Sequence, residues 1–323
     1  MTAGLFLQAL VAGAAAGAVY GVIGLGYALI YRMSGVLNFA HGDLVTAGVF
    51  CFLLVVGGGG AVALVGLSPA VLLLGVAVAV LAAALIGVAI QRLAVSPFLA
   101  RGSSLGWIGG TVAAGLLLRA LVGMRFQAES YTVPEILPGL GAGGAIPLPG
   151  GGVMQPRTVV VLVMALALAL AFDRWLAASR TGRGMRAVAQ DADAARLCGV
   201  SPERLRLVAW ALAGVLAAVA GLLVAPSRPL TLDVGIILGL KGTAAAVLGR
   251  LGSARGTVLA GLAIGVGESI VTTLYIPPVS LGTLRLSQLG PLPGLQDVGP
   301  LLVLVLVLAL LPGLVRDARE VVD

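Results

Sequence analysis

No charged side chain precedes Arg32. The stretch before it, "LFLQALVAGAAAGAVYGVIGLGYALIY" (residues 5–31), exceeds the ~20 apolar residues a helix needs to cross a bilayer core of ~30 Å. Comparable runs follow at 39–56, 69–91, 105–123, 156–174, 207–225, 234–249, 256–275 and 298–315. Only 10% of residues are charged and 59% are hydrophobic, whereas soluble domains carry about 25% charged residues. The pattern predicts an all-α, polytopic helical membrane protein of about eight or nine segments, one transmembrane domain over residues 1–323. The runs at 39–56 and 234–249 are short, which leaves each open to two readings, a full crossing or a re-entrant or broken helix; lipid tolerates the second only where protein or water covers the irregular backbone. The opening lacks a cationic start and is too long for a signal peptide, so it reads as a retained first span.

The net charge of +7 is placed as an orientation signal. Nineteen of the twenty cations are Arg, and the segment 174–206 holds Arg174, Arg180, Arg183, Arg186, Arg196, Arg204 and Arg206. Short cytoplasmic loops attract Lys and Arg, so that segment is put inside. Alternation then adds Arg32, Arg92, Arg101, Arg250, Arg255, Arg316 and Arg319, giving 7 + 7 = 14 cations inside. Arg119, Arg125, Arg157, Arg228 and Arg285 fall outside, five in all. The expected N-terminus is outside and the C-terminus cytoplasmic, in a cell inner membrane. No basic stripe with interleaved aromatics occurs, so nucleic acid is not an expected partner.

Enzyme chemistry finds little support. "GIILGLKGT" places Lys241 two residues after Gly239, which breaks the phosphate-binding pattern, and it lies in an apolar run. Gly139, Gly141 and Gly144 have dinucleotide-fingerprint spacing, but prolines flank them and no strand–helix context surrounds them, so a flexible loop is expected over 124–155. One His and two distant Cys, Cys51 and Cys198, build neither a zinc site nor a disulfide. No cofactor is expected on this chain.

The segment 177–206 stands apart. Connectors in helical bundles need ~2–8 residues, and this one is far longer. It reads as a soluble helix with a small-residue face (Ala187, Ala194, Ala195, Leu197) and a charged one (Arg186, Asp191, Asp193, Arg196). Gly199 is its stop signal, and Ser201-Pro202-Glu203 opens the next helix. A short amphipathic helix in such a loop suits docking into a partner's groove.

Three stretches carry a family resemblance: "YALIYRMSGVLNFAHGDLVTAG" (27–48), "RTGRGMRAVAQDADAARLCGV" (180–200) and "KGTAAAVLGRLGSARGTVLAGLAIGVGES" (241–269). On them the chain resembles an ABC-transporter permease of the branched-chain amino-acid type, the LivH-type family. The resemblance implies a permease without its own ATPase, paired with a second permease of the LivM type. It implies two cytoplasmic ABC ATPase subunits that hydrolyse ATP and an extracytoplasmic solute-binding protein. It implies a coupling helix on the ATPase within 182–200, with Gly182, Arg186, Ala187, Asp191, Ala194, Ala195, Gly199 and Val200 as coupling residues. Branched-chain or related amino acids are the implied solute. Urea, short amides or another small solute is the alternative, and an ion-coupled secondary transporter would have only Glu268 as an intramembrane acid.

Candidate residues of the translocation path or its support are Asn38, Phe39, His41, Gly42, Lys241 and Glu268. Asn38 is placed to cap the helix that follows, and Asp43 in its first turn suits the helix dipole. A direct part for this cluster in the solute path is the other reading. The seven Val, Ile and Leu residues of 234–249 gain about 3 kcal/mol on insertion, which roughly cancels the ~2.5–3.5 kcal/mol cost of a central Lys. Lys241 should therefore face protein or water, and an ion pair with Glu268 would lower the cost for both. A contact to solute is the alternative. "FAHGDLVTAG" and "SARGTVLAGLAIG" resemble each other weakly, as internally duplicated transporter halves do.

Overall fold

The computed structural model describes residues 2–57, 67–126, 130–136 and 144–273, with 280–281, 284–285 and residue 299. Apart from residue 299, the run expected at 298–315 lies outside the described residues, as do Gly139, Gly141, Arg316 and Arg319. In chain order the helices are α1 (Ala3–Ser34), α2 (His41–Val56), α3 (Pro69–Ile90), α4 (Ser96–Ala100), α5 (Ser104–Arg125) and α6 (Pro156–Ala178). There follow α7 (Arg180–Gln190), α8 (Ala192–Leu197), α9 (Pro202–Val224), α10 (Val234–Leu248) and α11 (Ala254–Thr273). A π turn at Gln91–Val95 joins α3 to α4 into one continuous path. Among the described residues six helical segments are long and apolar enough to cross a membrane, and α2 and α10 are the short ones.

The boundaries follow local chemistry. Thr2, Ser68, Ser103, Ser179 and Ser201 each accept a hydrogen bond from a first-turn amide of the helix they precede, satisfying donors that a helix start leaves free. Pro69 and Pro202 stand in the first turn of α3 and α9, where a missing N–H costs nothing. Gly35 ends α1 in the left-handed region (φ 67°), its N–H donating to the Tyr31 carbonyl.

Helix α1 is the axis of the bundle. From Gly17 to Ile30 every residue is buried and none is charged, and α11 lies antiparallel along it: Gly13 faces Gly265, Gly17 faces Gly261 and Gly21 faces Val258. A methyl group on Gly13 would stand 2.6 Å from the Gly265 carbonyl oxygen. Lipid chains are as apolar as Leu, so helices associate in a membrane by close backbone packing, and small residues permit it. Helix α9 packs on α1, α2 and α3, with Gly214 against the Ala83 backbone and Gly221 against Val45.

The two short helices start inside the bundle and are entered from its opposite ends. After Gly35 the chain turns back into the bundle without helix, and α2 starts where His41 meets Gly26. Gly26 is eight residues before Ser34, so α2 begins about 12 Å in from the end of α1. Helix α10 enters from the other end through a 3₁₀ turn (Ala225–Ser227) and the stretch 228–233. Its first turn meets that of α2, Gly235 against Gly42 and Thr46.

The expected flexible loop over 124–155 is ordered in part. Strands β1 (Ile146–Leu148) and β2 (Gly152–Met154) form an antiparallel hairpin, and the Val153 N–H donates to Gln8 Oε1 of α1 at 2.9 Å. Gly150 and Gly151 take positive φ (91° and 90°) in its turn, a conformation that glycine adopts without strain.

The α1–α11 seam gives a direct test. On Gly17 a Cβ would lie 2.5 Å from the Gly261 carbonyl oxygen, whereas at Gly109 nothing lies within 4 Å. Gly17→Val is expected to destabilise the purified protein by about 1–3 kcal/mol through overpacking. Gly109→Ala should leave its thermal transition in detergent unchanged.

Candidate functional site

Three polar groupings interrupt the apolar bundle. The first joins α1, α10 and α11. Lys241 Nζ lies 2.8 Å from Glu268 Oε1 and 3.4 Å from the Tyr20 hydroxyl. That hydroxyl donates to Glu268 Oε2 at 3.2 Å. The ammonium also stands 5.3 Å from the Tyr20 ring centroid, in reach of a cation–π contact. Lys241 is 2% exposed and Glu268 14%. The structure therefore brings together the two charges that the sequence singled out, and adds Tyr20, which nothing in the sequence had marked.

The second grouping lies where α2 and α10 cross. Asn38 and His41 are both fully buried, while Phe39 is half exposed. The cap position of α2 belongs to Ala40 and has no side-chain bond. Asn38 Oδ1 instead accepts from the Ala40 N–H, 3.1 Å away, within the non-helical stretch. The expected cap is thus a local turn bond, which satisfies backbone where no water does. His41 packs edge-on to Tyr27, ring centroids 4.5 Å apart, and a Cβ on Gly26 would come 2.5 Å from its Nε2. Among the described residues Asn38 Nδ2 has no hydrogen-bond partner. Gly42 lets the two helices touch.

Asp43, in the first turn of α2, is held by Arg119 Nη2 at 2.8 Å. The same guanidinium reaches Asp233, at the cap of α10, at 3.7 Å. Arg119 was counted with the outer loops from its sequence position; it lies inside α5. An Arg within "GLLLRALVG" was the available signal. A run of that hydropathy admits an Arg only where a partner or water meets it.

The third grouping is the insert. It is two helices, α7 and α8, and not one. Met185, Val188, Ala195 and Ala209 pack with Leu29 and Met33 of α1. Arg186 donates to the carbonyls of Leu176 (2.7 Å) and Ala177 (3.1 Å), closing the end of α6. Asp191 caps α8 by accepting from Asp193 and Ala194, and Gly199 follows with φ 78°. Gly182 abuts the backbone of Leu176, and Ala187 and Val200 are half-buried against the same cluster. So Gly182, Arg186, Asp191 and Ala195 are used within the chain. The outward face is Ala194, Leu197 and Cys198, with Leu197 91% exposed. Arg196 bridges Asp193 (2.9 Å) and Glu203 (2.5 Å), and by accepting its hydrogen bond Glu203 raises the Arg196 guanidinium above its ordinary pKa.

Among the described residues no group of three or more His, Cys, Asp or Glu is placed to hold a metal. A family model described as the permease component of branched-chain amino acid transport systems matches residues 9–311. BraD, a high-affinity branched-chain amino acid transport permease of Pseudomonas aeruginosa, is 28% identical over 273 residues, 84% of this chain and 87% of BraD. The corresponding LivH of Escherichia coli K12 is 28% identical over 288 residues, 87% of this chain and 92% of LivH. A probable LivH of Methanocaldococcus jannaschii is 27% identical over 254 residues, 78% of this chain and 76% of that protein. No solved structure matches significantly.

The triad yields a prediction. Glu268→Gln leaves the buried Lys241 ammonium short of its carboxylate, and breaking a buried pair on one side costs about 3–5 kcal/mol. The yield of folded, membrane-inserted protein should fall, and Lys241→Met added to Glu268→Gln should recover most of it. Folded yield at the wild-type level with transport lost would assign the pair to solute contact instead.

Proposed function

This chain belongs to the permease family of branched-chain amino acid transport systems, and on that premise we propose that it forms the solute path for branched-chain or related amino acids in an ATP-driven importer. The family is one of transport components and not of enzymes. ABC permeases work with ATPase and binding-protein partners. In this reading two cytoplasmic ATPases supply the energy, this chain binds no nucleotide or other cofactor, and a second, LivM-type permease completes the path. The solute class is that of BraD and LivH, both permeases of high-affinity branched-chain amino acid transport systems.

The observation that carries the coupling claim is the face of α8. A leucine exposed at 91% beside Ala194, on a short helix fastened from beneath, is what a groove on a partner requires. The insert is cytoplasmic on the Arg distribution, fourteen cations against four once Arg119 is placed within α5. That sidedness puts the N-terminus and the β1–β2 hairpin outside, where the binding protein delivers solute. Apolar faces on α3, α5 and α6, such as Leu81, Leu117 and Val163, meet lipid or the second permease.

The reading is tested with the complete importer in vesicles. Leucine uptake should require ATP inside, and Leu197→Glu should reduce copurification of the ATPases by about tenfold or more, as loss of an interface anchor does. Undiminished copurification removes the docking claim. Uphill uptake by this chain alone on a sodium or proton gradient removes the whole reading.

A further inference from the structure

Two small cavities share Thr46 as a common wall. One, of about 10 Å³, is walled by aliphatic groups that include Val45, Val49, Val224 and Leu238. The other, also about 10 Å³, contains Asp43 and Arg119. Thr46 is 5% exposed, and its hydroxyl has no hydrogen-bond partner among the described residues. Buried polar groups in folded proteins nearly always have one. The hydroxyl points into a defined place, since a Cβ on Gly235 would collide with Thr46 Oγ1. It therefore lies against the first turn of α10. That helix has no side-chain cap, because Asp233 holds the cap position without bonding the amides. Arg119 Nε, at the second cavity, is likewise buried without a partner among the described residues.

We propose that the space around Thr46 is a solute subsite, and that it selects a zwitterion with an aliphatic side chain. The inference rests on the transport reading above and locates it. A solute carboxylate meets three groups of matching sign here: the Thr46 hydroxyl, the N-terminus of α10 with its positive dipole end, and the Arg119 guanidinium. The solute ammonium meets Asp43, with Asp233 at the rim. The side chain takes the aliphatic cavity on the other side of Thr46. Asp43 and Arg119, 2.8 Å apart, offer both signs side by side, as the two ends of an amino acid do. An uncharged amide such as urea has no charge to set against that pair and no side chain for the pocket. Each cavity has room for about one water. Solute would therefore enter this subsite only as the N-terminal turns of α2 and α10 part.

The experiment uses the complete importer in vesicles with radiolabelled leucine, phenylalanine and urea as probes. Thr46→Val keeps the shape and removes the hydroxyl, and Thr46→Ser keeps the hydroxyl. Expected is a loss of leucine uptake of about tenfold or more for Thr46→Val, the size of one hydrogen bond to a charged group, with copurification of the ATPases unchanged. Thr46→Ser should keep most of the uptake. Leu238→Ala, which widens the aliphatic cavity, should shift selectivity from leucine toward phenylalanine. Wild-type leucine kinetics in Thr46→Val and unshifted selectivity in Leu238→Ala overturn the subsite and leave the transport reading standing. A wild-type importer that carries urea and no amino acid overturns both.

Discussion

A helix start buried in a bundle carries unbonded amides and a partial positive charge, and this fold sets two of them against each other where α2 meets α10. The arrangement is costly unless negative charge lies close to both. Asp43 stands in the first turn of α2 and Asp233 at the cap of α10. Two carboxylates so placed would repel, and Arg119 lies between them, at 2.8 Å and 3.7 Å. The order of charge is therefore dipole, acid, base, acid, dipole. Glycine at 42 and 235 brings the turns close enough for one guanidinium to serve both acids. Any larger residue at that contact would separate them.

The same logic explains why the ions of α10 and α11 occur together. Lys241 is buried to 2% exposure on a helix too short and too poor in Leu to carry a charge into lipid. It is tolerated because Glu268 and Tyr20 supply acceptors from the two helices beside it. The triad thereby fixes the rotation of α10 about its axis. That rotation aims Gly235 at Thr46 and Gly42 at the crossing. One ion pair far along α10 sets the geometry at its first turn.

How far this was legible in the sequence depended on the length scale of each signal. Membrane spans are properties of ~20-residue windows, and all eight runs within the described residues became helices, their ends fixed by Ser, Pro and Gly punctuation. The extension of α3 through a π turn to Ala100 was missed, since Gln91 and Arg92 read as the end of a span. Lys241 and Glu268 could be paired because the apolar background left few other partners. Arg119 could not, because counting cations by loop assigns an Arg near a helix end to the loop. The insert was visible as a polar segment of excess length. Which of its residues face home was not: Ala194 and Ala195 are adjacent and equally small, yet one is exposed and the other buried against α1 and α9. The contact is tertiary, and composition does not carry it.

The insert and the crossing are joined by two rigid paths. Helix α7 packs on Leu29 and Met33 at the end of α1 and is bolted to the end of α6 by Arg186. Helix α9 starts within the insert at Pro202 and passes Gly221 against Val45, one residue from Thr46. Along α1, the same helix that receives α7 also holds His41 against Gly26, and the Tyr20 hydroxyl against Glu268. A tilt of the insert thus reaches α2 through α9, and reaches α2, α10 and α11 through α1. Close-packed elements shift as units and pass displacement on. On the proposed docking of α8, a force applied there would be delivered to the crossing where the starts of α2 and α10 share Arg119.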